Sequence, residues 1–241
     1  FLASDSIVCN SNRTLVSLPW YVESKKLSVI YNGVNFNKID TASIDRSKNT
    51  SNDIIIATVC RMVSQKDLPT LIKGFALASA RSNQRIKLKL IGDGPLRHDL
   101  EKEIDRLKLS KKVELMGSIS REKVYENLKR VDLFVVSSRW EGFCNAMVEA
   151  ASAGCAIIAS NIDTLREVLG KENGFFFNVG DAKSLCEKIV YLSENEEMRK
   201  KFALKAQRYV RSKYSLDRSV KKYDQIYRSL AETELEPWFE I

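Results

Sequence analysis

From residue 53 onward, short unbroken apolar runs alternate with longer stretches whose apolar positions recur every three or four residues. The first pattern predicts buried strands over 53–61 (DIIIATVCR), 86–91, 113–116, 132–137 (DLFVVS), 156–160 and 175–179. The second predicts helices over 68–81, 96–107, 121–130, 145–153, 182–193, 196–212 and 216–231, with Pro69 in the first turn of the earliest. Strands that are apolar throughout, separated by amphipathic helices, imply a parallel sheet covered on both faces. The expected fold is a doubly wound, Rossmann-like α/β domain over 53–214. Such sheets bind ligands beyond the carboxyl ends of their strands.

The first 52 residues read differently. A strand near 6–10 and a short helix near 13–18 cannot bury a core alone, so 1–26 reads as the remnant of a preceding, largely missing Rossmann-like domain. Residues 27–52 read as a linker, with a turn at Asn32 and Gly33 and a polar, mobile loop over 41–52. Residues 215–241 form a last helix and an acidic tail with two aromatics, expected to pack toward the missing domain.

Composition narrows the chemistry. With 44% apolar and 29% charged residues among 241, the chain can bury a real core. No apolar run approaches the ~20 residues of a membrane span. Cysteines 9, 60, 144, 155 and 186 form no C-x-x-C pair and sit among apolar neighbours, which favours reduced thiols and a cytoplasmic setting. His98 is the only histidine, which excludes zinc sites needing two, and it reads as a surface residue. There is no G-x-G-x-x-G after the first strand, no P-loop and no D-x-D pair for a metal-held diphosphate. The net charge of +8 suits an anionic partner. Basic clusters without interleaved aromatics argue against nucleic acid, whereas 199–205 (RKKFALK) is a candidate face for anionic lipid.

The residues able to do chemistry collect after the strands. Arg61 and Lys66 follow the first, as a diphosphate clamp or a solvated pair. Gly92 follows the second, within a tight GDGP turn, and Ser118 and Ile119 follow the third. After the fourth comes EGFCNAMVE, residues 141–149. Here Gly142 leaves the backbone bare, and the amides of Phe143, Cys144 and Asn145 open a helix where an anion can sit. Glu141 is at the loop tip. Glu149 lies within a small, apolar helix, where a carboxylate is costly to bury without hydrogen-bond donors. Ribose hydroxyls or a structural arginine would both serve.

These residues carry a resemblance. VIYNGVNF at 29–36, CRMVSQKDL at 60–68, LIGDGP at 90–95, VELMGS at 113–118, DLFVVSSRWEGFCNAMVEA at 132–150, Glu167 with Val168, and Asn173 with Gly174 together resemble the retaining GT4, or group 1, glycosyltransferases. That resemblance implies the second, donor-binding half of a GT-B fold. It implies that Arg61 and Lys66 hold the donor diphosphate, that Glu149 takes the ribose, that backbone near Ser118 and Ile119 meets the base, and that Gly92 is among the donor-binding residues. It implies that Glu141, with the amides of Gly142, Phe143, Cys144 and Asn145, contacts sugar and phosphate. No metal and no cofactor beyond a UDP-, GDP- or ADP-sugar substrate is expected. The acceptor would be a glycan or a lipid-linked molecule bound mainly by the missing domain, at the inner face of a membrane, in surface polysaccharide or lipopolysaccharide assembly. The isolated chain would then turn over little or nothing. The alternatives are a sugar-nucleotide epimerase of related fold and a non-catalytic module binding a nucleotide-sugar or anionic lipid. One departure stands out. The family's usual glycine pair after the fifth strand is replaced by Asp163 and Thr164, whose side chains are expected to intrude on the sugar pocket or to pack elsewhere.

Overall fold

A computed structural model describes residues 4–43 and 52–234. Most of the expected mobile loop (44–51) and tail (235–241) lies outside the described residues. Strands β3 (Ile54–Val59), β4 (Ile86–Ile91), β5 (Val113–Gly117), β6 (Leu133–Val136), β7 (Ala156–Ser160) and β8 (Phe175–Phe177) form one sheet in the order β5-β4-β3-β6-β7-β8. Every pairing is parallel. The doubly wound fold read from the sequence is therefore present.

Its two-sided core explains the unbroken apolar strands. Ile54, Ile56, Leu88, Leu133 and Val135 face one layer together with α3 (Leu68–Arg81), α4 (Arg97–Arg106) and α8 (Ala182–Glu194). Ala57, Phe134, Val136, Ile157 and Ala159 face the other, with α5 (Arg121–Leu128), α6 (Asn145–Ala153) and α9 (Glu196–Lys213). Alternate residues of each strand thus enter different cores, and both sides are dry.

The N-terminal segment is a small βαβ unit. Strand β1 (Ile7–Cys9) pairs in parallel with β2 (Leu27–Val29), and α1 (Asn12–Val16) lies between them in sequence. The stretch read as a linker contains α2 (Phe36–Asp40), and Val34 and Ile39 are buried in the main core. Val34 is also hydrogen-bonded to the start of α10 (Leu216–Glu234): its amide donates to the Tyr214 carbonyl (2.8 Å) and its carbonyl accepts from Leu216 (3.1 Å). Residues 163–169, for which the sequence pattern predicts no helix, form α7 (Asp163–Leu169), in which Thr164, Leu165, Val168 and Leu169 recur at helical spacing and are all buried. Among the described residues no helix is long and apolar enough to cross a membrane.

Candidate active site

In the sheet order, β3 and β6 are neighbours, but the chain leaves them toward opposite edges. Such a switch point opens a crevice at the carboxyl ends of the strands. A cavity of about 320 Å³ lies there, lined by Thr58, Val59 and Cys60 from β3, by Ser137 and Ser138 after β6, and by Lys66 and Glu141.

Two loops build this cavity and brace each other. After β3 the chain makes a single 3-10 turn, Ser64–Lys66, and Asp67, in the left-handed region (φ 45°), turns it into α3. Ser137 Oγ donates to the Lys66 carbonyl (2.7 Å) and Gln65 Nε2 to the Trp140 carbonyl (2.8 Å). At the centre, Lys66 Nζ meets Glu141 Oε1 at 2.5 Å, and Ser138 Oγ donates to the same oxygen at 2.7 Å. The Glu141 side chain is 7% exposed and that of Lys66 20%, so this is a largely desolvated pair. Burial pulls the Lys66 ammonium down, but its hydrogen bond to Glu141 and the carboxylate charge outweigh that and leave it above its ordinary 10.5.

The first turn of α6 forms another wall. Gly142, Phe143, Cys144, Asn145 and Ala146 line the cavity, and among the described residues none of their amides donates to a backbone carbonyl. Cys144 caps the helix in the left-handed region (φ 78°). An anion in this cavity would meet unpaired N–H groups at the positive end of a helix beside an ammonium. The two thiols here are not nucleophiles. Burial pushes Cys60 up to about 11 and Cys144 up to about 12.

A second cavity, of about 520 Å³, adjoins the first through Val59 and Cys60 and is lined by Arg61, Gly92, Ser118 and Ile119. Arg61 is exposed, and among the described residues its guanidinium has no ion-pair or hydrogen-bond partner. Gly92 is required by the protein itself. Its φ is +128°, and a Cβ there would lie 2.0 Å from the Cys60 carbonyl oxygen. Glu149 is buried (6% exposed) and lines neither cavity. Of its two expected kinds of partner, an arginine is present: Arg121 Nη2 bonds Oε1, and the Tyr125 hydroxyl donates to the same oxygen at 3.3 Å. Among the described residues no protein donor reaches Oε2.

The structure thus brings Lys66, Glu141 and residues 142–145 into one cavity, gathers Arg61, Gly92, Ser118 and Ile119 in its neighbour, and sets Glu149 apart. Asp163 and Thr164 line neither of these, but both line a third cavity, of about 520 Å³, that shares Glu141 with the first; the Asp163 side chain is largely exposed, 3.7 Å from Arg13, and Thr164 is buried in α7. His98 is exposed, 3.9 Å from Glu101. Within the basic stretch 199–205, Arg199 points inward onto the carbonyls of Leu192 and Ser193. Sequence reasoning missed Asn10 and Asn32, which line the first cavity from the N-terminal segment. No local pattern ties either to residue 142 or 145. Arg121 and Tyr125, four apart on one face of α5, were a legible pair whose partner was not.

The family of group 1 glycosyl transferases matches residues 40–209. A Campylobacter jejuni N-acetylgalactosaminyltransferase, named for an N-acetylgalactosamine–diacetylbacillosamine diphospho-undecaprenol substrate, is 26% identical over 91% of this chain and 60% of its own length. A human phosphatidylinositol N-acetylglucosaminyltransferase chain is 32% identical over 56% of this chain and 27% of its own. In fold, Anabaena HepE in complex with UDP and glucose superposes with a TM-score of 0.81, 21% identity and coverage of 95% and 64%. Sucrose-phosphate synthase from Thermosynechococcus elongatus superposes at 0.82, with 21% identity and coverage of 95% and 59%. The chain spans less than two thirds of the length of each of these four proteins.

Proposed function

Since the chain belongs to the group 1 glycosyl transferases, we propose that residues 53–214 are the donor-binding half of a two-domain enzyme. The enzyme moves a glycosyl group from a nucleotide-diphosphate sugar, with retention and without a metal, to a glycan or lipid-linked acceptor. The observation that carries this reading is the desolvated Lys66–Glu141 pair set against the unpaired amides of residues 142–146 at the switch point of the sheet.

The chemistry follows from that arrangement. A departing nucleoside diphosphate gains negative charge as the glycosidic bond breaks. Lys66, the exposed Arg61 guanidinium and the helix amides are donors placed where that charge develops, which is the role a metal ion fills elsewhere. Glu141 has one oxygen held by Lys66 and Ser138. Its other oxygen accepts from sugar hydroxyls and opposes positive charge at the anomeric carbon. As the resemblance to the retaining members of the family implies, no protein nucleophile is assigned, and attack comes from the acceptor on the face the diphosphate leaves. The second cavity takes the base against Gly92, Ser118 and Ile119, and Glu149 Oε2 meets the ribose. The named substrates of the Campylobacter and human relatives are lipid-linked. They support a lipid-linked acceptor, which the remaining domain mainly binds; the enzyme we propose is cytoplasmic and works at the inner face of a membrane.

The test is calorimetric titration of UDP, GDP and ADP into the chain, with Glu149→Gln as the control. Saturable binding of one nucleotide, weakened about 10-fold or more by the substitution, is expected for a lost charge-assisted bond to a ribose hydroxyl. No binding of any of the three at millimolar concentration, by protein with a cooperative melt, would overturn the reading.

A further inference from the structure

The rim of the switch-point cavity is made of amides that come from far apart in the chain. Asn10, at the end of β1, and Asn32, after β2, line it opposite the first turn of α6. The Asn10 amide atoms lie 3.5 Å from where a Cβ on Gly142 would be, and Asn10 Oδ1 accepts from Thr14 Oγ1 at 3.2 Å. Asn32 Nδ2 donates to Asn145 Oδ1 at 3.1 Å. Among the described residues, these bonds leave Nδ2 of Asn10, Oδ1 of Asn32 and Nδ2 of Asn145 for a ligand. Mixed donors and acceptors of this kind suit hydroxyl groups, which both give and accept.

One carboxylate docks the segment that carries the rim. Glu167 Oε1 accepts from the Asn12 amide (2.8 Å), from Asn12 Nδ2 (2.9 Å) and from the Tyr31 hydroxyl (2.8 Å), and Oε2 accepts from the Arg13 amide (3.2 Å). Asn12 and Arg13 open α1, so Glu167 satisfies two of the N–H groups that a helix start leaves unpaired. Tyr31 is wedged edge-on against Tyr214 (5.4 Å between ring centres) and packs on Phe143 (6.1 Å), beside the loop that carries Gly142. Asn10 lies two residues before Asn12, and Asn32 directly follows Tyr31. Both rim amides are therefore fixed from the same carboxylate, which itself lines neither cavity.

We propose that Asn10 and Asn32 hydrogen-bond the sugar of the bound donor and that Glu167 is the positioning residue that holds them over it. The rim amides are uncharged and both donate and accept, so the sugar they fit is a neutral hexose or N-acetylhexosamine, whose hydroxyl and acetamido groups do the same. This rests on the donor-binding reading above, and the experiment separates the two. The affinity of UDP is compared with that of UDP-glucose, UDP-N-acetylglucosamine and UDP-glucuronate, so that the gain on adding the sugar is read apart from nucleotide binding. The native chain is expected to gain from at least one neutral sugar and not from glucuronate. Asn10→Ala and Asn32→Ala should each cut that gain about 3- to 10-fold while leaving UDP affinity unchanged. Glu167→Gln keeps the size of the side chain but turns one acceptor into a donor facing donors, and it should cut the gain at least as far. A purely structural Glu167 would lower the melting temperature and leave the ratio untouched, which would overturn the proposal. So would unchanged ratios in both asparagine variants, a native chain with no gain from a neutral sugar, or a gain from glucuronate alone. If Glu167→Gln melts below the assay temperature, Tyr31→Phe decides, because it keeps the ring and removes one of the four bonds: a ratio reduced about 3-fold supports the clamp, and an unchanged one overturns it. Failure of UDP, GDP and ADP alike to bind would instead remove the donor-binding reading, and this inference with it.

Discussion

The two adjoining cavities are built on different principles. The one bounded by Gly92, Ser118 and Ile119 lies at the ends of three neighbouring strands, β3, β4 and β5, and at Gly92 it is closed by tight backbone packing. The switch-point cavity is assembled from four separate stretches of chain, around residues 10, 32, 58–66 and 134–146. Two glycines mark the contrast. At Gly92 a Cβ would lie 2.0 Å from the Cys60 carbonyl oxygen, so the protein needs glycine to fold. At Gly142 a Cβ would meet only Asn10 and Thr14 atoms at 3.5–3.9 Å, which is ordinary contact, so the fold does not require glycine there. A bare backbone that the fold does not need points to what enters the cavity.

The largest expected effect would break that contrast if it failed. Gly92→Ala should destabilise the chain by about 3 kcal/mol or more, from left-handed strain plus overpacking against backbone. Its melting temperature should fall by roughly 10 °C. Gly142→Ala should melt within about 1 °C of the native chain and lose about 10-fold in nucleotide-sugar affinity, read by thermal denaturation and calorimetry. Equal destabilisation by the two would show that both cavities are backbone-built.

Next comes Lys66→Ala, expected to weaken UDP binding about 100-fold, because it removes a charge-assisted contact from a largely desolvated site. The sign of its pH dependence is fixed. A lysine held above 10.5 stays charged, and its contribution to stability is complete below that value and is lost only as the pH climbs through the raised one. Nucleotide affinity should therefore be flat on this account from about pH 6 to 9, and a titration in that range moving with Lys66→Ala as its control would contradict the pairing.

A smaller effect concerns the thiols. With Cys60 and Cys144 pushed up to about 11 and 12, alkylation by iodoacetamide at about pH 8 should run at least ~10-fold slower than on free cysteine, followed residue by residue by mass spectrometry. Rapid labelling of either would show that the cavity floor is wetter than its packing implies. The smallest effect is that of Asp163→Gly. The exposed Asp163–Arg13 pair at 3.7 Å should be worth less than about 0.5 kcal/mol, and nucleotide affinity should not change. A clear change in affinity would bring residue 163 into the site after all.

Much was legible in the residues alone. Unbroken apolar runs such as DIIIATV and DLFVV announced a sheet buried on both faces, because only burial on both sides tolerates Ile or Val at consecutive positions. That pattern, with polar loops after each strand, located the ligand edge and put Arg61, Lys66, Ser118, Glu141 and Glu149 on the list of candidates. Short-range signals also bounded most elements, since Pro69 and Gly154 act through their own backbone. Where the signal was weak it misled: α7 has only seven residues, too few turns for its periodicity to stand out.

Tertiary structure alone decided who meets whom. Nothing near residue 141 specifies that its carboxylate faces Lys66, and nothing near 149 chooses Arg121. Those pairings depend on strand order, which brings β3 beside β6 across 77 positions of sequence, as in the bond from the Ile55 amide to Asp132. The same holds for Glu167, whose four donors lie 136 to 155 residues away. Hydrophobic periodicity is a local property of a chain and can be read along it. A desolvated charge can be placed only when the fold brings its partner within about 3 Å, and that distance belongs to the packed molecule.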